Sequence, residues 1–247
     1  MRKRKADDIT EDQHIPLTAE DLQDMLTTLA IRFSGWSYMF RKQAPQLELE
    51  TRLCTLQDGK LTNDLPQNIF DTMLRYYIDQ SKDKSSGVQR VSTGKVVQHF
   101  FKDDLRSIKR NKGNEIWQRK SVRLRQDFSV PNRKLGFSMV VSSEVPDQGD
   151  LSPSTFTREK NMDIFRKGEV LISFATVYQG SNSDMLSLTP RREIEIELDH
   201  KRCSPPSHLK NDIEHDTQII GTLFTETLRP MGLHHPMSVS VLPSGAR

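Results

Sequence analysis

Two segments of this chain alternate charged and apolar residues with a strict period of two. The first reads Leu47-Glu48-Leu49-Glu50-Thr51-Arg52-Leu53, and the second reads Arg192-Glu193-Ile194-Glu195-Ile196-Glu197-Leu198. Successive side chains of a β-strand point to opposite faces. Glu48, Glu50 and Arg52 therefore share one face, and Glu193, Glu195 and Glu197 share another, each backed by leucines or isoleucines. Glutamate is a poor strand former, and like charges stacked along a strand face repel. Two readings fit the pattern. In one, an amphipathic sheet holds its glutamates in water. In the other, the glutamates line a shared cavity and bind a hard cation. Mg²⁺ or Mn²⁺ takes oxygen ligands in octahedral geometry. The apolar faces then pack outward against helices, giving a polar lumen inside an apolar jacket.

A cavity of glutamates alone is electrostatically costly, and the charge distribution supplies the compensation. Net charge is only +3, yet residues 90–134 hold 13 Lys or Arg against four Asp or Glu, a local +9. Strand-like stretches contribute Arg90, Lys95, Arg119, Lys120, Arg123, Arg125, Arg158 and Lys160. Each alone reads equally well as an exposed surface cation. Interleaved with carboxylates around a metal, they suit a polyphosphate, because Lys and Arg hold phosphate oxygens while the metal bridges to the carboxylates. Glu144 ends the run Gly136–Glu144, on a face with Ser138, Val140 and Ser142.

Several function classes are excluded. Two cysteines, Cys54 and Cys203, cannot make a disulfide framework or an all-cysteine zinc site. Neither begins a Cys-x5-Arg phosphatase loop. No apolar run approaches the roughly 20 residues of a membrane span. No Walker-type glycine loop occurs. Aromatic residues are 7% of the chain, with no motif for stacking bases. The 247 residues suit a single domain over 17–229, between a basic flexible tail, 1–16, and a flexible C-terminal tail, 230–247. Helices are expected from Thr18, from Pro66 and over 207–228. Strands are expected over 47–53, 87–101, 115–125, 134–145, 155–165, 169–179 and 191–199.

At the paired acidic strands the sequence resembles the triphosphate tunnel metalloenzymes. Within them it is most similar to the metal-dependent mRNA 5′-triphosphatases of fungal and protozoan type, and its compact size resembles kinetoplastid members. The resemblance implies an α+β fold, an eight-stranded antiparallel β-barrel flanked by helices, whose lumen is the triphosphate tunnel. It implies hydrolysis of the γ-phosphate from 5′-triphosphate RNA, the first step of mRNA capping, in the nucleus. It implies Mg²⁺ or Mn²⁺ on Glu48, Glu50 and Glu197, with Glu144 orienting the attacking water and Glu195 and Glu193 as further catalytic carboxylates. Arg52, Arg90, Arg119 or Lys120, Arg158 and Lys160 are the implied phosphate-binding residues. An RNA guanylyltransferase is an implied partner, and nucleoside triphosphates are alternative substrates. The sequence departs from the family pattern at Cys54, where glycine is usual, and at Met162, the third basic position of an R-x-K-x-R strand. A small-molecule triphosphatase or cyclase of the same superfamily, or a non-catalytic RNA-binding β domain, are the competing readings.

Overall fold

A computed structural model describes residues 46–110, 113–130, 134–149, 153–181, 186–187, 189–198, 221, 225–226 and 240–241. Both expected tails and the helices expected from Thr18 and over 207–228 lie outside or largely outside these residues. In chain order the elements are β1 (Gln46–Gln57), β2 (Lys60–Thr62), α1 (Gln67–Lys82), β3 (Val88–Phe100), β4 (Leu105–Arg110), β5 (Ile116–Ser129), β6 (Leu135–Pro146), β7 (Phe156–Lys167), β8 (Val170–Gly180), β9 (Arg191–Leu198) and β10 (Ser240–Val241). Among the described residues no helix is long and apolar enough to cross a membrane.

Eight of these strands close on themselves. The order β1-β6-β5-β4-β3-β7-β8-β9 returns to β1, and every neighbouring pair is antiparallel. Closure leaves no open sheet edge in the ring. β2 is a short hairpin partner of β1, and β10 pairs with β5. Asp58 and Gly59, both at positive φ, form the two-residue β1–β2 turn.

The hydrophobic core lies outside the barrel wall. Leu49, Leu53, Phe137, Met139, Val141, Phe165, Ile172, Phe174, Ile194, Ile196 and Leu198 form one buried cluster with Phe70, Met73 and Tyr77 of α1. Pro66 opens α1, its carbonyl accepting from the amides of Ile69 and Phe70 at 3.1 and 3.0 Å. The helix then lays its aromatics across the sheet. Phe70 meets Phe174 edge-on at 5.6 Å, and Tyr77 lies 5.8 Å from Phe165. Burying each such side chain contributes roughly 1.5–3 kcal/mol. Because the jacket supplies the core, the inner face of the barrel is free to be polar.

β4 was not expected. Asp103 and Asp104 both take positive φ and close a tight turn, with Leu105 N–H donating to Lys102 O at 3.3 Å. Aspartate tolerates this left-handed conformation better than most residues. The basic stretch 102–110 therefore folds back on β3 as a strand.

Candidate metal centre and phosphate-binding lumen

Register decides which side chains meet inside the barrel. On β1, Glu48, Glu50 and Arg52 stand opposite Ser142, Val140 and Ser138 of β6. On the other flank, Glu50 pairs with Glu197 of β9 and Arg52 with Glu195. The two acidic strands are thus direct neighbours, with their charged faces pointing the same way, inward. Carboxylate oxygens of Glu48, Glu50 and Glu197 all lie within 4.8 Å of one another.

Cations interleave with these carboxylates. Lys120 of β5 pairs with Glu48 and lies 3.5 Å from Glu50 Oε1 and 3.6 Å from Glu144 Oε1. Arg52 donates to Glu50 Oε1 at 2.6 Å, and its Nε lies 3.3 Å from Glu195 Oε1. On β7, Arg158 pairs with Glu193, and Lys160 lies 3.5 Å from Glu193 Oε2 and 3.4 Å from Glu195 Oε2. Arg106 of β4 pairs with Glu144.

Burial and these neighbours set the protonation of the cluster. Burial drives Glu197 well above the ordinary carboxylate range, and the carboxylates of Glu48, Glu195 and Glu50 push it further. Burial also raises Glu50, against the opposing pull of Arg52 and Lys120. Glu195 goes the other way: burial opposes its charge, but Lys160, Arg52, Lys120 and Arg158 outweigh it and hold the carboxyl well below its usual range. For Lys120, burial works against the ammonium, and Glu50 and Glu48 more than restore it. Three hard oxygen donors converge, and the surroundings of one of them, Glu197, disfavour its ionised form in the absence of a cation. That donor set fits a divalent oxygen-seeking cation on Glu48, Glu50 and Glu197.

No protein-family model and no curated protein sequence matches the chain. Solved structures do. The Pct1 RNA triphosphatase of S. pombe superposes with a TM-score of 0.64 at 15% identity, covering 86% of this chain and 94% of that one. The same enzyme in complex with the Spt5 CTD gives 0.65 at 13% identity, covering 86% and 93%. This chain has the triphosphate tunnel fold.

The tunnel does not take in every basic residue singled out by the sequence. A β-bulge between Arg90 and Ser92 breaks the two-residue alternation of β3, so Arg90 falls opposite Phe165, on the jacket side. There it pairs with Asp163 and is 46% exposed. Arg90 is therefore not a tunnel arginine. Of the two adjacent candidates on β5, Lys120 points inward and Arg119 outward. Arg119 pairs with Asp147 at 2.8 Å and donates to Asp103 O at 2.8 Å. Lys95 also leaves the tunnel, pairing with Glu159 at 2.7 Å. A second bulge, between Val122 and Leu124, shifts β5 so that Arg125 and Asp127 come opposite Val140 and Ser138. Arg125 Nε donates to Asp127 Oδ1 at 2.7 Å, and Ser138 Oγ donates to the same oxygen at 2.6 Å.

Arg106 is the tunnel residue that sequence reasoning missed. The signal was present in the Asp103-Asp104 pair, which marks a hairpin between two strand-like runs. Met162 faces inward between Gly94 and Ala175, so the third basic position contributes no charge there. Cys54 is fully buried, and burial pushes its thiol up to about 11. A thiol of that acidity supplies almost no thiolate at neutral pH.

Proposed function

We propose that this chain hydrolyses the γ-phosphate of 5′-triphosphate RNA, with Mg²⁺ or Mn²⁺, as the first step of mRNA capping. The observation that carries the reading is the convergence of Glu48, Glu50 and Glu197, oxygens within 4.8 Å, beside Lys120 inside a closed barrel. The likeness in fold to an enzyme named an RNA triphosphatase supports it.

The residues divide the work as follows. A divalent cation on Glu48, Glu50 and Glu197 supplies charge neutralisation for phosphate oxygens when bound. Arg158 and Lys160 bind phosphate oxygens, and Lys160, 5% exposed, does so with little competition from water. Arg52 holds Glu50 and Glu195 in place. Glu144, fixed by Arg106 and by Lys120, accepts a hydrogen bond from water and aims it at the γ-phosphorus, opposite the β–γ bridging oxygen. The transition state of phosphoryl transfer is loose, so positioning and charge neutralisation carry the acceleration and no covalent intermediate is needed. The product keeps a 5′-diphosphate end, the acceptor that a guanylyltransferase requires, so that enzyme is the proposed partner and the nucleus the proposed site. Nucleoside triphosphates share the reacting group and are proposed as alternative substrates.

The test is release of γ-phosphate from 5′-triphosphate RNA and from ATP, with Mg²⁺ or Mn²⁺ and with chelator. Metal-dependent release from RNA, lost in Glu48→Ala, is the expected result. Turnover of ATP alone moves the substrate to small triphosphates. Binding of RNA without turnover of either removes the enzymatic reading.

A further inference from the structure

The ammonium of Lys120 lies against the carboxylate cluster itself. Its Nζ is paired with Glu48 and is 3.5 Å from Glu50, two of the three converging donors. Backbone register places Lys120 opposite Glu144, a strand away from β1. The side chain nevertheless leans along the tunnel to reach Glu48 and Glu50, keeping Glu144 at 3.6 Å. Ser142 Oγ donates to the same Glu48 oxygen at 3.2 Å, which fixes the carboxylate that Lys120 grips. Only 13% of the lysine side chain is exposed, so the ammonium has exchanged most of its water for these carboxylates. Among the described residues no Lys or Arg pairs with Glu197, the third donor. One tethered charge thus covers two donors, while the third, Glu197, has Glu48 as its hydrogen-bond partner and its ionised form disfavoured.

We infer that Lys120 is a built-in counter-ion of the carboxylate cluster, which a divalent cation must displace, and that it sets the affinity of the centre for metal. The inference rests on the metal-dependent reading above. An ammonium and a divalent cation cannot both sit on Glu48 and Glu50, because like charges at such separations repel strongly in a water-poor site. Displaced, Lys120 stays tethered to Glu144 and becomes a free donor for an incoming phosphate. Metal and polyphosphate then bind with positive coupling, and the coupling is reciprocal.

The test measures Mn²⁺ binding without substrate, following free Mn²⁺ by electron paramagnetic resonance. Wild type is compared with Lys120→Met, Lys120→Arg and the surface control Lys82→Met, each checked for a cooperative thermal transition. Lys120→Met should bind Mn²⁺ at least about tenfold more tightly, with Lys120→Arg and Lys82→Met close to wild type. Unchanged or weaker affinity in a folded Lys120→Met protein overturns the inference, and so does equal tightening by Lys120→Arg. A second measurement needs no variant. Reductive methylation of Lys120, read by peptide mass spectrometry, should speed up when Mn²⁺ is added to wild type, and an unchanged rate overturns the displacement. Failure of both wild type and Lys120→Met to bind Mn²⁺ removes the metal centre and with it the proposed function. Equal affinity removes only the role of Lys120.

Discussion

Arg52 binds the two acidic strands to each other, donating to Glu50 at 2.6 Å while its Nε lies 3.3 Å from Glu195. Glu50 is 2% exposed, and burial already works against its charge. Arg52→Ala removes its nearest cation. Breaking a buried pair from one side costs up to about 3–5 kcal/mol, with Lys120, 3.5 Å from Glu50, and Lys160, 3.4 Å from Glu195, offsetting part of the loss. Urea unfolding of Arg52→Ala should show a loss of that order. A loss below about 1 kcal/mol would mean that the pair contributes no more than a surface bridge.

Position relative to the barrel wall, and not charge as such, should decide which basic residues matter. Lys160 faces Glu193 and Glu195, while Arg90 and Arg119 pair with Asp163 and Asp147 outside. Lys160→Ala should lower phosphate release by about 10²-fold or more, the scale of losing one preorganised charge contact. Arg90→Ala and Arg119→Ala should stay within about twofold of wild type, since partly exposed pairs contribute little. A large loss in Arg90→Ala would contradict the bulge assignment in β3.

Glu48→Ala and Glu197→Gln should each weaken Mn²⁺ binding by at least about tenfold, since each removes one donor of a three-carboxylate set. Equilibrium dialysis reads this without any substrate. Chelator should abolish turnover of wild type, and added Mn²⁺ should restore it. Retained affinity in both variants would place the metal elsewhere.

The raised Glu197 makes metal uptake depend on pH. Unfolded, this carboxyl titrates near the ordinary 4.5; folded and metal-free, burial and then Glu48 hold it well above that value. The stability it contributes is fully present below 4.5 and is lost as pH rises through the raised value. A cation requires the ionised form, so binding releases a proton in that window and affinity climbs with pH. Calorimetric titration with Mn²⁺ in two buffers of different ionisation enthalpy should show this proton, and Glu197→Gln should lose it.

Gly136 marks the tightest approach in the wall. A Cβ there would collide with the Phe128 carbonyl oxygen and lie 2.7 Å from Leu61 Cδ2. The Phe128 carbonyl is backbone of the β5–β6 ladder and cannot give way cheaply, whereas the Leu61 side chain can turn aside. Gly136→Ala should cost about 1–3 kcal/mol, the usual range for overpacking, visible as a lowered melting temperature. Gly87→Ala is a useful contrast, because its position has open space although φ is +70°.

Much of the barrel was legible in the chain. The strands over 46–57, 135–146, 156–167, 170–180 and 191–198 fall within a few residues of the alternating runs that predict them. Pro66 likewise opens the helix it was expected to open. Ser138, Val140 and Ser142 share the face of Glu144, and that face meets Glu48, Glu50 and Arg52. β4 was harder to read, because its six residues carry three cations and no strict apolar alternation. Its formation depends on the Asp103-Asp104 turn and on pairing with β3 and β5.

What the sequence by itself determined is the two-faced strand: an acid face and an apolar face on each of two strands; that the acid faces turn into the barrel and the leucines and isoleucines into the jacket came from ring closure. Side-chain alternation is a local property of an extended chain, so it can be read residue by residue. The inward or outward fate of Arg90, Arg119, Lys120 and Arg125 was decided only by tertiary structure. A bulge inserts one residue, flips every side chain beyond it, and exists only because two partner strands must stay in register. The adjacency of Glu50 to Glu197 is of the same kind, since closing the ring brings together residues 147 positions apart that no local pattern connects.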